Sequence, residues 1–260
     1  METVSHICIG VASVALGGWI LFQLPWRMSV AFMLLCSVAM VPLNLLHPTI
    51  PDHITAWQEP RIIFHTLKGI TVALSVAFLL SYPALFRRFD KAPVLIVTLL
   101  ALNIIEALFA EGRKDFTVNI LSGILLIALI PAPDRVSVVT DGNRERVSLP
   151  VDWIWILIYG LWNFAFLLQI TGQGRWIVFG FSQILAPLLL IRLVPGRFIE
   201  ARAATLFTAT LLWQLHGIYD PMFAAPDLFA EREVMIPIRS TGFAIMLVYL
   251  YFMLRRFYRT

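Results

Sequence analysis

The chain has 260 residues, of which 59% are hydrophobic and only 14% are charged, and its net charge is +4 at pH 7. Soluble globular domains are roughly 45–50% apolar and about 25% charged, so the composition excludes a soluble enzyme, a disordered chain, a coiled coil and a dedicated nucleic-acid-binding protein. The positive charge does not require an acidic partner, because membrane proteins carry additional Arg and Lys on their cytoplasmic loops.

Nine apolar segments are predicted to be membrane-spanning helices, because each approaches the length of about 20 apolar residues that a crossing requires. In chain order they are residues 4–24, 28–46, 62–82, 93–110, 117–130, 151–170, 176–194, 199–219 and 237–257. The fifth segment is the shortest, and it is interpreted either as a span or as a re-entrant segment. The segments fill the chain, which predicts a single all-α transmembrane bundle over residues 1–260.

A polar stretch, residues 131–150, separates the fifth and sixth segments. It contains Asp141-Gly142-Asn143 between residues of alternating polarity, a pattern typical of a small β-hairpin. With nine spans and the N-terminus outside, thirteen Arg and Lys residues lie on the cytoplasmic side and six lie outside, and Arg202 is among the cytoplasmic thirteen. This bias predicts an outer N-terminus, a cytoplasmic hairpin and a cytoplasmic C-terminus.

Strongly polar residues fall in the predicted outer halves of eight segments. Lys68 lies about 9 Å below the outer end of the third segment, and Asn103 and Glu106 share one face of the fourth. Ionisable groups in hydrocarbon are costly and point to function. The pattern predicts a polar cavity that opens outward and is closed toward the cytoplasm, with a Lys68–Glu106 pair at its centre. The further candidates are His65, Asn119, Tyr159, Asn163, His216 and Arg239.

Each candidate has a functional and a structural interpretation. Lys68 and Arg239 either bind an anionic ligand or place a charge at the membrane interface, and Glu106 and His65 either transfer protons or lie at that interface. The residues that either bind a ligand or form interhelical hydrogen bonds are Asn103, Asn119, Tyr159, Asn163 and His216. No compact ligand spacing is present, so neither a metal nor another cofactor is predicted.

Five short motifs occur in an order that resembles an uncharacterised family of bacterial polytopic membrane proteins, known only as a domain of unknown function. The resemblance implies a multi-pass protein of the bacterial cytoplasmic membrane and brings no known activity. The motifs are His65-x-x-Lys68, Leu102-Asn103-Ile104-Ile105-Glu106-Ala107, Asn119-x-x-Ser122-Gly123, Tyr159-Gly160-Leu161-Trp162-Asn163-Phe164-Ala165-Phe166 and Leu185-Ala186-Pro187.

The element containing Asn103 and Glu106 is also similar to the Asn-x-x-Trp-Glu element of small integral-membrane terpene cyclases, with Ile105 in place of Trp. In those all-helical proteins a carboxylic acid protonates a lipid substrate. The resemblance therefore implies an acid role for Glu106, although the matching second acid is not identifiable in this sequence.

Two classes of function remain open from the sequence, besides a purely structural role. The first is a protein that binds or transports a small polar or anionic solute or ion, with Lys68 and Arg239 as anion partners. The second is an intramembrane enzyme for a lipid-like substrate such as an isoprenoid, with Glu106 and His65 as catalytic residues. The expected partners are the bilayer and a small-molecule or lipid ligand, without nucleic acid. Entry of a lipid tail favours the enzyme, whereas a polar path to the cytoplasm favours transport.

Overall fold

The computed structural model describes residues 2–45, 60–86, 88–112, 117–141, 144–171, 176–193, 198–214 and 232–257. Within these ranges the chain is mostly helical and forms nine α-helices and one β-hairpin. The helices are α1 (Glu2–Gln23), α2 (Trp26–Leu45), α3 (Pro60–Phe86), α4 (Ala92–Gly112), α5 (Thr117–Ala128), α6 (Trp153–Thr171), α7 (Trp176–Leu193), α8 (Phe198–Gln214) and α9 (Arg232–Phe257).

Each of the nine predicted apolar segments overlaps one of these helices, which confirms the helical class. The break between α1 and α2 falls at Pro25, whose backbone lacks the N–H that a continuing helix needs. The hydroxyl of Ser29 donates to the Leu21 carbonyl at 3.0 Å across this break, which satisfies an acceptor at the end of α1. The ninth helix begins at Arg232, five residues earlier than predicted, and contains Pro237.

Helix α5 has 12 residues and is about 18 Å long at 1.5 Å per residue. This is shorter than the roughly 30 Å of a hydrocarbon core. The chain continues beyond α5 through an irregular segment and a 3₁₀ turn (Pro133–Arg135) that contacts α4. The fifth segment is therefore helical over Thr117–Ala128 and ends in a turn at residues 129 and 130.

The predicted hairpin is present. Strands β1 (Ser137–Asp141) and β2 (Arg144–Ser148) pair antiparallel, with Ser137 opposite Ser148 and Asp141 opposite Arg144. This register leaves two residues for the connection between the strands, as expected for a turn sequence containing Gly142. The hairpin is the one departure from an all-α chain within the described residues.

The hairpin packs against one end of the helical bundle, which we call the hairpin end. Helices α1, α3, α5 and α9 approach this end with their C-terminal parts, whereas α4, α6 and α8 begin there. The contacts that establish this arrangement involve Phe22, Tyr82, Ala92, Leu126, Asp152, Trp155, Glu200 and Tyr249. The consecutive helices α3–α4, α4–α5, α5–α6 and α8–α9 therefore run in opposite directions.

Close packing of α1 on α7 and α8 depends on small residues. A Cβ atom added to Gly17 would lie 2.3 Å from Cγ2 of Thr208, and one added to Gly18 would lie 2.8 Å from a Leu190 methyl group. Glycine at these positions lets the neighbouring helices approach closely, as is common where helices pack in membranes.

Two of the described helical segments are long and apolar enough to cross a membrane, Ser5–Gln23 and Ala92–Phe109. Six shorter apolar helical segments of 10–17 residues accompany them, among them Lys68–Ala84 and Trp153–Leu167. Two such helices are weak evidence for an association with a membrane, and they do not define the number of crossings.

Candidate functional site

The polar centre expected from the sequence joins α3 to α4. The Lys68 ammonium donates to Glu106 Oε2 and to Asn103 Oδ1, both at 2.8 Å. Asn103 and Glu106 are one turn apart on α4, so one ammonium group reaches both. The side chains of Lys68 and Glu106 are 20% and 30% exposed. The positive charge of Lys68 is therefore already matched by a carboxylate within the protein.

The polar groups continue from this pair toward the hairpin end. Asn103 Nδ2 donates to the Tyr159 hydroxyl on α6 at 3.4 Å. The Tyr159 ring stacks on Trp155 with 5.1 Å between centroids. The Arg202 guanidinium carbon lies 5.5 Å from the centroid of the Tyr159 ring. This cation–π distance is attractive. The arrangement connects α3, α4, α6 and α8 through side chains of alternating polar and aromatic character.

A cavity of about 460 Å³ lies between α3, α4, α6 and α8. Its wall is mainly aliphatic and aromatic. The cavity reaches the side of the bundle between α3 and α4, where Leu74, Leu95 and Leu102 are about half exposed. The polar groups in the wall are Thr71, Ser75, Asn103, Glu106, Tyr159 and Arg202. The space therefore suits an apolar chain better than a hydrated solute.

A second cavity, of about 310 Å³, lies between α6, α7 and α8. Tyr159, Phe198 and Arg202 form part of the wall of both cavities. Asn163 and Gln183 contribute polar groups to the second cavity only. The two spaces are thus neighbours that share one wall of three side chains.

Arg202 was missed as a site residue by the sequence analysis, which counted it among cytoplasmic charges. Its side chain is instead 6% exposed, one turn inside α8, and donates from Nη1 to Gln183 Oε1. The charge count grouped Arg202 with loop residues, whereas the structure places it within helix α8. The surrounding small residues Ala201, Ala203 and Ala204 were the available signal, because small residues favour close helix packing around a buried side chain.

Two other predicted site residues, Asn119 and Asn163, do not join this cluster. Asn119 is buried on α5, and its carbonyl accepts a 3.0 Å hydrogen bond from Trp162 Nε1. Asn163 belongs to the second cavity. The predictions for the side chains of His65 and Arg239, and for all of His216, lie outside the described residues.

A second buried ion pair, not singled out from the sequence, holds the hairpin. Arg146 Nη1 lies 3.8 Å from Glu200 Oε2, and both side chains are buried. Glu200 Oε1 also accepts a hydrogen bond from the Val147 backbone N–H at 2.8 Å. Arg146 Nη2 donates to the Phe22 carbonyl at the end of α1. This pair connects the hairpin to α1 and α8.

No group of three or more His, Cys, Asp or Glu side chains comes together as a potential metal site within the part of the chain that the structure describes. A scan against protein-family models found no match, and searches of curated proteins and of solved structures found no similar chain.

Proposed function

We propose that the chain is a polytopic membrane protein of about nine helical segments, oriented with the hairpin end in the cytoplasm and the N-terminus outside. The alternating direction of successive helices supports repeated crossing of the same membrane. Large apolar side chains point away from the bundle, such as Leu35, Val38 and Phe109, which are 68%, 72% and 75% exposed. Apolar side chains exposed over a wide surface require a non-aqueous neighbour, and the bilayer provides it.

In this arrangement, the function is to bind a lipid-like molecule whose hydrocarbon part occupies the cavity between α3, α4, α6 and α8. The single observation that carries this proposal is the apolar wall of that cavity. Its opening between α3 and α4 faces the hydrocarbon of the bilayer, so a lipid chain enters without crossing water. Burial against aliphatic and aromatic side chains positions the chain, and a few polar groups orient its other end.

The geometry favours this ligand over a small anion held by Lys68. The Lys68 ammonium already donates to Glu106 and Asn103 at 2.8 Å, so an entering anion would compete with a carboxylate that is built into the site. A small polar solute would also lose its hydration beside an apolar wall, with few donors and acceptors in return.

A second candidate function is a reaction on the same lipid. Glu106 lies in the cavity wall one turn from Asn103, whose Nδ2 group donates to the Tyr159 hydroxyl. A carboxylate that faces a lipid-sized space has the placement required of a general acid or base. Turnover that stops in Glu106→Gln, while lipid binding is retained, would support this second function.

The proposed cavity is tested by filling it. Ala203 lies in the cavity wall on α8, so Ala203→Phe places a ring where the lipid chain would lie. We expect dodecanol or farnesol to raise the melting temperature of the wild-type protein in phosphatidylcholine nanodiscs by mass action, and this rise to be lost in Ala203→Phe.

The matched control is Ala31→Phe, at an exposed position on α2, which should keep the full response. The proposal fails if the alcohols do not stabilise the wild-type protein. It also fails if Ala203→Phe, itself folded, responds as strongly as Ala31→Phe.

A further inference from the structure

The buried cation Arg202 has no acidic partner in the described part of the chain. The ion pairs there join Lys68 to Glu106 and Arg146 to Glu200. Arg202 instead contacts the Tyr159 ring and the amide oxygen of Gln183. A guanidinium carries five N–H donors and keeps its charge in proteins, and burying a charge without an opposite charge is costly. A bound anion would compensate the charge.

Gln183 supplies a second, independent observation. Its side chain is 1% exposed, and its Nε2 group has no hydrogen-bond partner among the described residues. Because Oε1 accepts from Arg202, the amide is oriented with its N–H donors directed elsewhere. A buried donor without an acceptor costs free energy comparable to that of a lost hydrogen bond. Gln183 and Arg202 both line the second cavity.

We infer that Arg202 and Gln183 form a binding site for an anionic oxygen group, a carboxylate or a phosphate, in the second cavity. Both side chains carry N–H donors and line this space, and the rest of its wall is mostly apolar. Carboxylate and phosphate oxygens match the fork of N–H groups on a guanidinium. The apolar surroundings strengthen such a charged hydrogen bond relative to one in water.

This site goes beyond the proposed lipid cavity and does not require it. Arg202 is also part of the wall of the larger cavity, so the anion has two possible sources. It is either the head group of a lipid whose chain lies in the larger cavity or a free anion. Only the assignment to a lipid head group rests on the proposed function.

The experiment compares three probes on the protein in phosphatidylcholine nanodiscs: dodecyl phosphate, dodecanol and inorganic phosphate. The wild-type protein should bind dodecyl phosphate at least about tenfold more tightly than dodecanol, as expected for hydrogen bonds to a charged group. Arg202→Met should lower this ratio to that of non-specific partitioning, and Gln183→Leu should lower it in part. Arg135→Met, at an exposed position, should leave the ratio unchanged. Because ratios are compared between proteins, differences in bilayer partitioning cancel.

Equal ratios in wild type, Arg202→Met and Gln183→Leu would overturn the anion site while leaving the lipid cavity intact. Arg202-dependent binding of inorganic phosphate without binding of either dodecyl probe would support the anion site and overturn the lipid cavity.

Binding of dodecyl phosphate far more tightly than inorganic phosphate would assign the anion to a lipid head group, and equal binding would assign it to a free anion. Absence of binding by all three probes would overturn both proposals. If Arg202→Met does not fold, the ratio in Gln183→Leu against wild type decides.

Discussion

At the scale of single residues, the Lys68 ammonium is the group that holds α3 and α4 together at the cavity. It satisfies two acceptors on α4 with short hydrogen bonds, and one of these acceptors, Asn103, passes the connection on to Tyr159. Removing the ammonium would leave a partly buried carboxylate and an amide oxygen without their donor, which costs more than the hydrogen bonds themselves contribute.

We predict that Lys68→Met lowers the free energy of unfolding by about 1–3 kcal/mol, measured by denaturation in bicelles. The double variant Lys68→Met/Glu106→Gln should lose less than the sum of the two single variants, because each single change leaves the other group unpaired. Lys91→Met, at an exposed lysine near the start of α4, is the control. Equal stability of Lys68→Met and Lys91→Met would show that the ion pair contributes nothing.

Some of the site residues were predictable from the sequence and others were not. The Lys68–Glu106 pair was predictable because both residues interrupt apolar helices at a similar predicted depth. The position of Arg202 was not, because a charge count assigns residues to loops and carries no information on burial. Likewise, Asn119 resembles Asn103 in the sequence, yet it packs beside Trp162, since hydrophobic periodicity does not determine which helices become neighbours.

At the scale of secondary-structure elements, the hairpin fastens the ends of two helices. Arg146 Nη2 donates to the Phe22 carbonyl at 3.2 Å, and the guanidinium lies 4.9 Å from the centroid of the Phe22 ring. The last carbonyls of a helix have no partner inside the helix and carry a partial negative charge, so a cation stabilises them. Glu200 lies in the first turn of α8, where the helix dipole favours an anion.

We expect Arg146→Met to destabilise the protein by about 3–5 kcal/mol, because it leaves Glu200 buried without its cation. Amide hydrogen exchange at Val147 should accelerate at the same time, since the Val147 N–H donates to Glu200. The control is Arg135→Met, because Arg135 is exposed in the 3₁₀ turn near the same hairpin. If Arg146→Met has the same stability and the same Val147 exchange rate as the control, Arg146 does not hold the hairpin to α1 and α8.

The positions of the helices were predictable because their signals are local. Apolar runs end at Pro25, at the charges after α3 and at the prolines before the hairpin, and the hairpin itself follows from a turn sequence between alternating residues. The shortness of α5 was visible in the same way. Its continuation through an irregular segment into a 3₁₀ turn was not, because that turn packs against α4, which is a tertiary contact.

At the scale of the whole molecule, the fold combines a closely packed region with an open flank. Helix α1 packs tightly on α8 through Gly17 and Gly18, whereas α3 and α4 line the cavity with its side opening. In the proposed membrane arrangement this opening gives lipid chains access that water-soluble ligands lack. The charged groups at the cavity are already paired or buried, so its capacity for binding lies mainly in its apolar wall.

The central claim is that a hydrocarbon chain occupies this cavity. It is tested most directly by photolabelling the protein in nanodiscs with dodecanol that carries a diazirine at its chain end, followed by mapping of the labelled residues. The account predicts labelling of cavity residues such as Leu99 and Ile199, competed by unlabelled dodecanol and lost in Ala203→Phe. Labelling confined to outward-facing residues such as Leu35 and Phe109, unchanged by competitor and by Ala203→Phe, would contradict it.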